Sequence, residues 1–168
     1  LNRFAIEFER TYTRLLDLQK AEAQARESQI QLALERVRAR TMAMHSSDEL
    51  GETSYLLERQ VAALGIKTFG CAFNIFDEDQ PSSNEWFCNE QGYKSMYKTP
   101  REGVFLRYYE AAQRGESIHI EEFRGEACIE HYRYLSSLPG LQEEIKIYAE
   151  QGIPLPTTQF DNVAFFKY

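Results

Sequence analysis

The chain has 168 residues, 43% hydrophobic and 27% charged, an ordinary composition for a globular protein that excludes a disordered tail, a fibre or a disulfide scaffold. Its net charge of −7 argues against nucleic-acid binding, because contact with phosphates needs a clustered positive surface. No apolar run is long enough to span a membrane, and the charged first residues do not form a secretory signal. Three irregularly spaced cysteines indicate free thiols, so we expect a cytoplasmic protein.

Both ends of the chain suggest that it is a piece of a longer protein. It starts with Leu1, inside a helical pattern, and residues 163–168 at the other end have the composition of a strand. Charge is also uneven, since residues 1–66 carry a net charge of −1 and residues 67–168 a net charge of −6. We therefore expect two structural parts, a charge-balanced helical segment over 1–45 and an acidic domain over 46–168.

Residues 1–44 predict one long helix, because they contain no Pro or Gly and are rich in Ala, Glu, Gln, Arg and Leu. At about 1.5 Å per residue this helix would be roughly 65 Å long, too long to be covered by so small a domain. Its apolar residues follow heptad-type spacing in two registers, with a phase break near residues 22–30. The seam predicts a homodimer, and its members are Leu15, Leu18, Ile30, Leu34, Val37 and Met44. The alternative is an amphipathic helix that packs on its own domain.

The remaining sequence alternates helix and strand signals. A second helix is predicted over residues 48–64, where Ser46 or Ser47 is placed to act as N-cap and Glu49 lies near the capping-box position. Strands are predicted at 68–76, 85–89, 117–123 and 162–168, with a polar turn at 77–84. Further helices are predicted at 103–114, 125–138 and 141–150, and irregular structure at 92–99 and 153–156. This order predicts an α+β fold, in which helices flank a mostly antiparallel or mixed sheet.

Two stretches resemble a connector of bacterial signalling proteins. The sequences AEAQARESQI at 21–30 and LERVRARTMAMHSSDEL at 34–50 are similar to the segment that precedes a GAF-like sensor domain in large two-component proteins, frequently histidine kinases of Bacteroidetes. Residues 8–19 resemble the last helix of a preceding GAF-like domain. The resemblance implies that 1–45 is a signalling helix between two sensor domains, and that 46–168 is a GAF-like domain whose last strand and closing helix are missing.

The resemblance also implies a function. The chain would be a non-catalytic sensory module of a sensor histidine kinase, in which binding of a ligand or partner shifts a dimeric helix between two packings. We expect no phosphorylation within the chain, because His45 precedes Ser46 rather than an acidic residue and no Gly-rich nucleotide-binding segment is present. The sequence therefore predicts no catalytic residue.

Aromatic residues are the main candidates for a ligand pocket, since the chain contains ten Tyr, eleven Phe and one Trp. Tyr and Trp combine apolar area with a hydrogen-bonding tip, which suits a small-molecule site. The resemblance places such a site between the sheet and its covering helices. The candidates are Trp86, Tyr93, Tyr108, Tyr109, His119 and Tyr132. The alternative is that they only fill the core.

Two further hypotheses use thiols and imidazoles. Cys88, His119, Cys128 and His131 have the ligand chemistry of a zinc site, but the paired spacing of a zinc module is missing, so no metal or cofactor is predicted. Cys71 and Cys88 lie on the two strands of the predicted hairpin, where they either pack in the core or form a redox pair. The alternative functions are thus a small metal- or thiol-dependent enzyme and a ligand-free interaction scaffold.

Overall fold

A long helix and two small antiparallel sheets form the α+β fold of the computed structural model, which describes residues 2–89, 92 and 94–166. The helices are α1 (Asn2–Met42), α2 (Leu50–Ala63), α3 (Gly103–Gln113), α4 (Glu126–Leu135) and α5 (Leu141–Glu150), with a short 3-10 turn at Ser47–Glu49. The strands are β1 (Cys71–Phe76), β2 (Ser82–Cys88), β3 (Lys94–Pro100), β4 (Ile118–Arg124) and β5 (Thr158–Ala164). Among these helices none is long and apolar enough to cross a membrane.

The predicted single sheet is wrong, because the strands form two separate sheets. The first has the order β1-β2-β3 and the second consists of β4 and β5, and all pairings are antiparallel. The strand β3 was expected to be irregular. Its side chains alternate between the core and solvent, with Tyr97 and Thr99 buried and Met96 exposed, and this alternation holds the segment in the sheet.

Two strand boundaries also differ from expectation for reasons of pairing. β2 starts at Ser82 instead of residue 85, because Ser83 pairs with the buried Thr99 of β3. β5 covers Thr158–Ala164 and begins before the predicted residue 162, because β4 continues to Arg124 and pairs with Thr158 there; residues 167 and 168 of the predicted strand lie outside the described residues. Polar residues thus enter strands when a partner strand supplies the hydrogen bonds, which local composition does not reveal.

The core lies between the inner faces of the two sheets and the helices α3, α4 and α5. Its buried side chains are Tyr97, Val104, Phe105, Phe123, Cys128, Tyr132, Leu138 and Leu141. Along β2, Glu85 and Phe87 face this core, since Phe87 packs against it and alternate residues share a face. Cys88 and Trp86 therefore lie on the other face of the sheet. The helix α2 borders that face, since the Glu58 carboxylate acts on the Cys71 thiol opposite Cys88.

The helices α1 and α2 form an antiparallel hairpin. Arg36 donates a hydrogen bond to Gln60 at 3.2 Å, and the Thr53 hydroxyl lies 3.2 Å from the Met44 sulfur. The half-buried residues of this segment are Ile30, Ala33, Val37 and Arg40 of α1, and Met44, which lies just after its end. Of the predicted seam, Ile30, Val37 and Met44 are therefore half-buried within the chain itself. Leu34 remains exposed, as do Leu15 and Leu18.

The start of α2 differs from the predicted capping box. Neither Ser46 nor Ser47 makes a side-chain cap bond, and the helix is entered through the 3-10 turn. The Glu49 carboxylate instead accepts the backbone N–H of His45 at 2.9 Å and an Arg40 bond at 2.8 Å. These bonds hold the pKa of Glu49 below its ordinary value, with the His45 N–H as the largest cause. The junction between the two helices is therefore fixed by Glu49.

Candidate functional site

A row of polar side chains crosses the inner face of the first sheet. Asn74, Glu85 and Tyr97 are register neighbours on β1, β2 and β3. The Glu85 carboxylate accepts a hydrogen bond from the Tyr97 hydroxyl at 2.8 Å and another from the Asn74 amide at 2.9 Å. Removal from water raises the pKa of Glu85, and the two donors offset this only in part.

The second sheet and its helices supply a matching group of side chains. The Tyr108 hydroxyl of α3 donates to the Asp161 carboxylate of β5 at 2.5 Å, and Gln159 donates to the same carboxylate at 2.6 Å. The Tyr132 hydroxyl of α4 donates to Gln159. Burial raises the pKa of Tyr108, and the negative charge of Asp161 raises it further, so this phenol is a hydrogen-bond donor over the physiological range.

The two groups face each other across the space between the sheets. The charge of Asp161 contributes to the raised pKa of Glu85, and the charge of Glu85 contributes to that of Tyr108, so the three groups interact. We call Asn74, Glu85, Tyr97, Tyr108, Tyr132, Gln159 and Asp161 the tyrosine–carboxylate network. It can bind through carboxylate oxygens and change its charge by one proton.

An ion-pair cluster lies beside this network on β4. The Glu121 carboxylate contacts Arg107 and His119, each at 3.0 Å, and His119 also lies 3.4 Å from Glu116. Burial alone would raise the pKa of Glu121, but the bonds from Arg107 and His119 outweigh it and lower that pKa. His119 is therefore held by Glu121 of its own strand and by Glu116 in the turn before it, and its ring centre lies 6.0 Å from that of Tyr108.

The predicted pocket residues are brought together only in part. Tyr108, His119 and Tyr132 border one region, whereas Trp86 lies on the opposite face of the first sheet. Tyr109 stacks edge-on against Phe76 with its ring under the Arg101 guanidinium, 3.8 Å from the ring centre. Tyr93 lies outside the described residues.

A groove of about 300 Å³ borders Tyr132 between α4 and residues 155–157. Its other lining residues include Ile129, Ser136 and Leu155. The network itself is filled by its own side chains, because the hydroxyls of Tyr97, Tyr108 and Tyr132 all bond to neighbours within it.

The four residues of the metal hypothesis are not brought together. Within the described ranges no group of three or more His, Cys, Asp or Glu side chains is placed to hold a metal ion. Cys128 donates to the backbone carbonyl of Pro156 at 3.2 Å, and burial raises the pKa of its thiol. His131 stacks on Phe123 with ring centres 4.0 Å apart, and burial lowers its pKa, so it is neutral near pH 7.

The predicted cross-strand cysteine pair is confirmed as a pair in register, with Cys71 opposite Cys88. Both cysteines are in the thiol form. Burial, with smaller effects of Glu58 and Cys88, raises the pKa of Cys71 to about 11. The thiol is therefore protonated near pH 7 and is a poor nucleophile, which favours packing over redox chemistry.

The residues that the sequence analysis missed are Asn74, Glu85, Tyr97, Gln159 and Asp161. One signal was available, because Glu85 directly precedes Trp86 and Phe87 in a predicted strand. Alternation alone places a glutamate there on a sheet face, and a carboxylate on a covered face needs donors. Asp161 carried no such signal, since β5 was predicted to begin one residue after it.

We expect Tyr108→Phe to lower the free energy of unfolding by about 1–3 kcal/mol, because it removes a donor from a half-buried carboxylate. Urea unfolding of both proteins measures the difference. Tyr109→Phe is the matched control on the same helix, since its ring contacts with Phe76 and Arg101 do not use the hydroxyl. Equal losses in the two variants would show that the Tyr108–Asp161 bond does not stabilise the fold.

Glu85 gives stability a defined dependence on pH. Its pKa is higher in the folded than in the unfolded chain, so above pH 4.5 the unfolded state ionises first and the free energy of unfolding falls as pH rises. We expect Glu85→Gln to lack this decrease. Urea unfolding at a series of pH values from 4.5 upward tests it, with the exposed Glu110→Gln as control. Parallel pH profiles for wild type and Glu85→Gln would contradict the expectation.

Comparison of the sequence with models of known protein families and with curated proteins, and of the fold with solved structures, finds no match.

Proposed function

We propose that this chain is a non-catalytic sensory module of a cytoplasmic bacterial two-component protein, with a GAF-like domain whose state is transmitted through a dimeric α1. The parent protein would be a sensor histidine kinase. The observation that carries the proposal is the exposed apolar side of α1. Every residue from 3 to 29 is exposed, although the segment includes Phe4 at 83% and Phe8 at 73% exposure.

A helix with so much exposed apolar surface requires a partner. Most helical stability in proteins comes from packing of an apolar face. Within the part of the chain that the structure describes, nothing covers the first half of α1, since residues 3–29 are all exposed. A second copy of the chain supplies it in our proposal, and Leu15 and Leu18 remain available from the predicted seam.

The helical hairpin connects this dimer contact to the domain. Arg36 and Arg40 bond across to Gln60 and Glu49, so a shift of α1 is passed to α2. On α2, the buried Ser54 hydroxyl donates to the backbone carbonyl of Trp86 at 2.7 Å, in the central strand of the first sheet. The tyrosine–carboxylate network begins on the other face of that strand, at Glu85. A change in the network therefore has a short physical route to α1.

The dimer is tested by Leu15→Asp and Leu18→Asp in sedimentation velocity of the 168-residue chain. Each substitution places a charge in the apolar stripe, and we expect the dimer dissociation constant to rise at least about tenfold. Ile6→Asp is the matched control, because Ile6 is 44% exposed on the opposite side of the same helix. A monomeric wild type at micromolar concentration, or equal effects of all three variants, would contradict the proposal.

A ligand-free interaction scaffold is the second candidate, and the filled network favours it. The Tyr97, Tyr108 and Tyr132 hydroxyls bond to neighbours within the network, which leaves them engaged without a ligand. Native mass spectrometry of the purified chain distinguishes a ligand-binding sensor module from a ligand-free scaffold. A co-purified small molecule that is lost in Tyr108→Phe supports a ligand sensor, and its absence together with a stable dimer supports the scaffold.

A further inference from the structure

Among the described residues, the outer face of the second sheet carries three large, exposed apolar side chains beside the ion-paired Glu122 and Arg124. Ile118 and Ile120 of β4 are 56% and 58% exposed, and Phe160 of β5 is 51% exposed. The register places them on one side, with Ile120 opposite Asn162 and Ile118 opposite Ala164. The inner side of the same sheet is covered, because Phe123 is buried against His131 of α4. One face of this sheet thus lacks a packing layer.

The first half of α1 has an apolar surface that suits such a face. At 100° per residue, six of the seven large apolar side chains between residues 4 and 18 fall within an arc of about 160°, and Ile6 lies on the opposite side. The six are Phe4, Phe8, Tyr12, Leu15, Leu16 and Leu18, all 45% or more exposed. An arc of this width is typical of a helix that packs on a domain, whereas a coiled-coil seam is narrower.

This helix segment cannot reach the sheet of its own chain. The helix α1 is continuous from Asn2 to Met42, and its second half is held against α2. Residue 4 therefore lies about 40 Å along the helix axis from residue 30, where the contact with α2 begins. An intact helix that projects this far presents its apolar arc to another molecule.

Charge selects the arrangement of the two copies. Residues 3–20 carry four basic and three acidic side chains, a net charge of +1, whereas residues 67–168 carry a net charge of −6. Packing of two β4–β5 faces on each other would bring two acidic domains together. Packing of the helix segment on the sheet joins a weakly positive segment to a domain of negative net charge, whose β4–β5 face itself carries one acidic and one basic side chain, Glu122 and Arg124.

We infer that residues 3–18 of α1 in one chain pack on the outer face of β4 and β5 in a second copy, reciprocally, so that the dimer is exchanged rather than a simple coiled coil. This inference rests on the dimer of the proposed function and specifies its interface. The dimer then has two equivalent contacts related by symmetry. In each contact, the α1 segment of one chain packs on the β4–β5 face of the other, and both apolar surfaces become buried.

Photo-crosslinking tests this geometry directly. A benzophenone amino acid at position 8 is incorporated into the 168-residue chain, which is mixed with isotopically labelled wild type and irradiated. We expect crosslinks between labelled and unlabelled chains at peptides of β4 and β5. The same group at position 6, on the opposite side of the helix, should give few crosslinks to these peptides. Crosslinks confined to α1 of the other chain would overturn the exchanged arrangement and leave the dimer of the proposed function intact.

A substitution on the sheet gives an independent measurement. Ile120→Asp is expected to raise the dimer dissociation constant at least about tenfold, as the helix variants do. Met96→Asp is the matched control, because Met96 is 62% exposed on a strand of the first sheet. Circular dichroism checks that both variants fold. A dimer as strong in Ile120→Asp as in Met96→Asp would overturn the inference, whereas a monomeric wild type would overturn the proposed function with it.

Discussion

Replacing Phe123 by alanine is expected to lower the free energy of unfolding by about 3–5 kcal/mol, which is a large part of the stability of a domain of this size. Phe123 is 8% exposed, belongs to the core cluster and stacks on His131 with the ring planes 18° apart. It is the buried apolar side chain of β4, so the cavity left by alanine lies between the second sheet and α4. The loss combines the transfer of the ring and the cavity.

Urea unfolding followed by circular dichroism measures this effect. Met96→Ala is the control, because Met96 lies in a strand but is 62% exposed, and its loss should be no more than about 0.5 kcal/mol. A loss in Phe123→Ala as small as that in Met96→Ala would mean that β4 and β5 are not packed on α4 as described.

Gly140→Ala is the substitution with the second largest expected effect, and we expect it to lower the free energy of unfolding by about 2–5 kcal/mol. Gly140 precedes α5 with a φ of +90°, a conformation that costs an L-residue about 1–2 kcal/mol. A Cβ at this position would also lie 2.7 Å from the Cβ of Tyr97, which is buried and bonded to Glu85. The Cβ of Tyr97 is fixed to the strand, so relief requires movement of β3 or of the turn and adds an overpacking cost.

Gly152→Ala separates the two causes. Gly152 also has a positive φ, +69°, but an added Cβ would meet no atom within 4 Å. Gly152→Ala should therefore lower the free energy of unfolding only by the cost of the positive φ, about 1–2 kcal/mol. Thermal unfolding of the two variants gives the comparison. Equal losses would show that the close approach of Gly140 to Tyr97 carries no energetic weight.

The sequence was sufficient for elements whose signal is local. The long helix was predicted to within a few residues, because the first 44 residues contain no Pro or Gly. The helices α3 and α5 were predicted for similar reasons, since Gly115 and Gly152 follow their ends. The α+β class follows from this order of elements.

Pairing between distant residues was not accessible from the sequence. The strand β3 contains Lys94, Ser95 and Lys98, and it is a strand because β2 lies beside it. The side of α1 that faces α2 was also missed, since both Ala33 and Leu34 fit a helical stripe and only the position of α2 makes Ala33 the covered one. The tyrosine–carboxylate network depends on both kinds of information, because its members come from six separate elements.

The proposed function depends most on the packing of a second chain on the first half of α1. Hydrogen exchange of the α1 amides, measured across a hundredfold range of protein concentration, tests it most directly. We predict that protection of residues 6–29 rises with concentration, while that of β1 and β2 stays constant, because only the former need the partner. Protection of residues 6–29 that does not change with concentration while the chain is monomeric would contradict this packing.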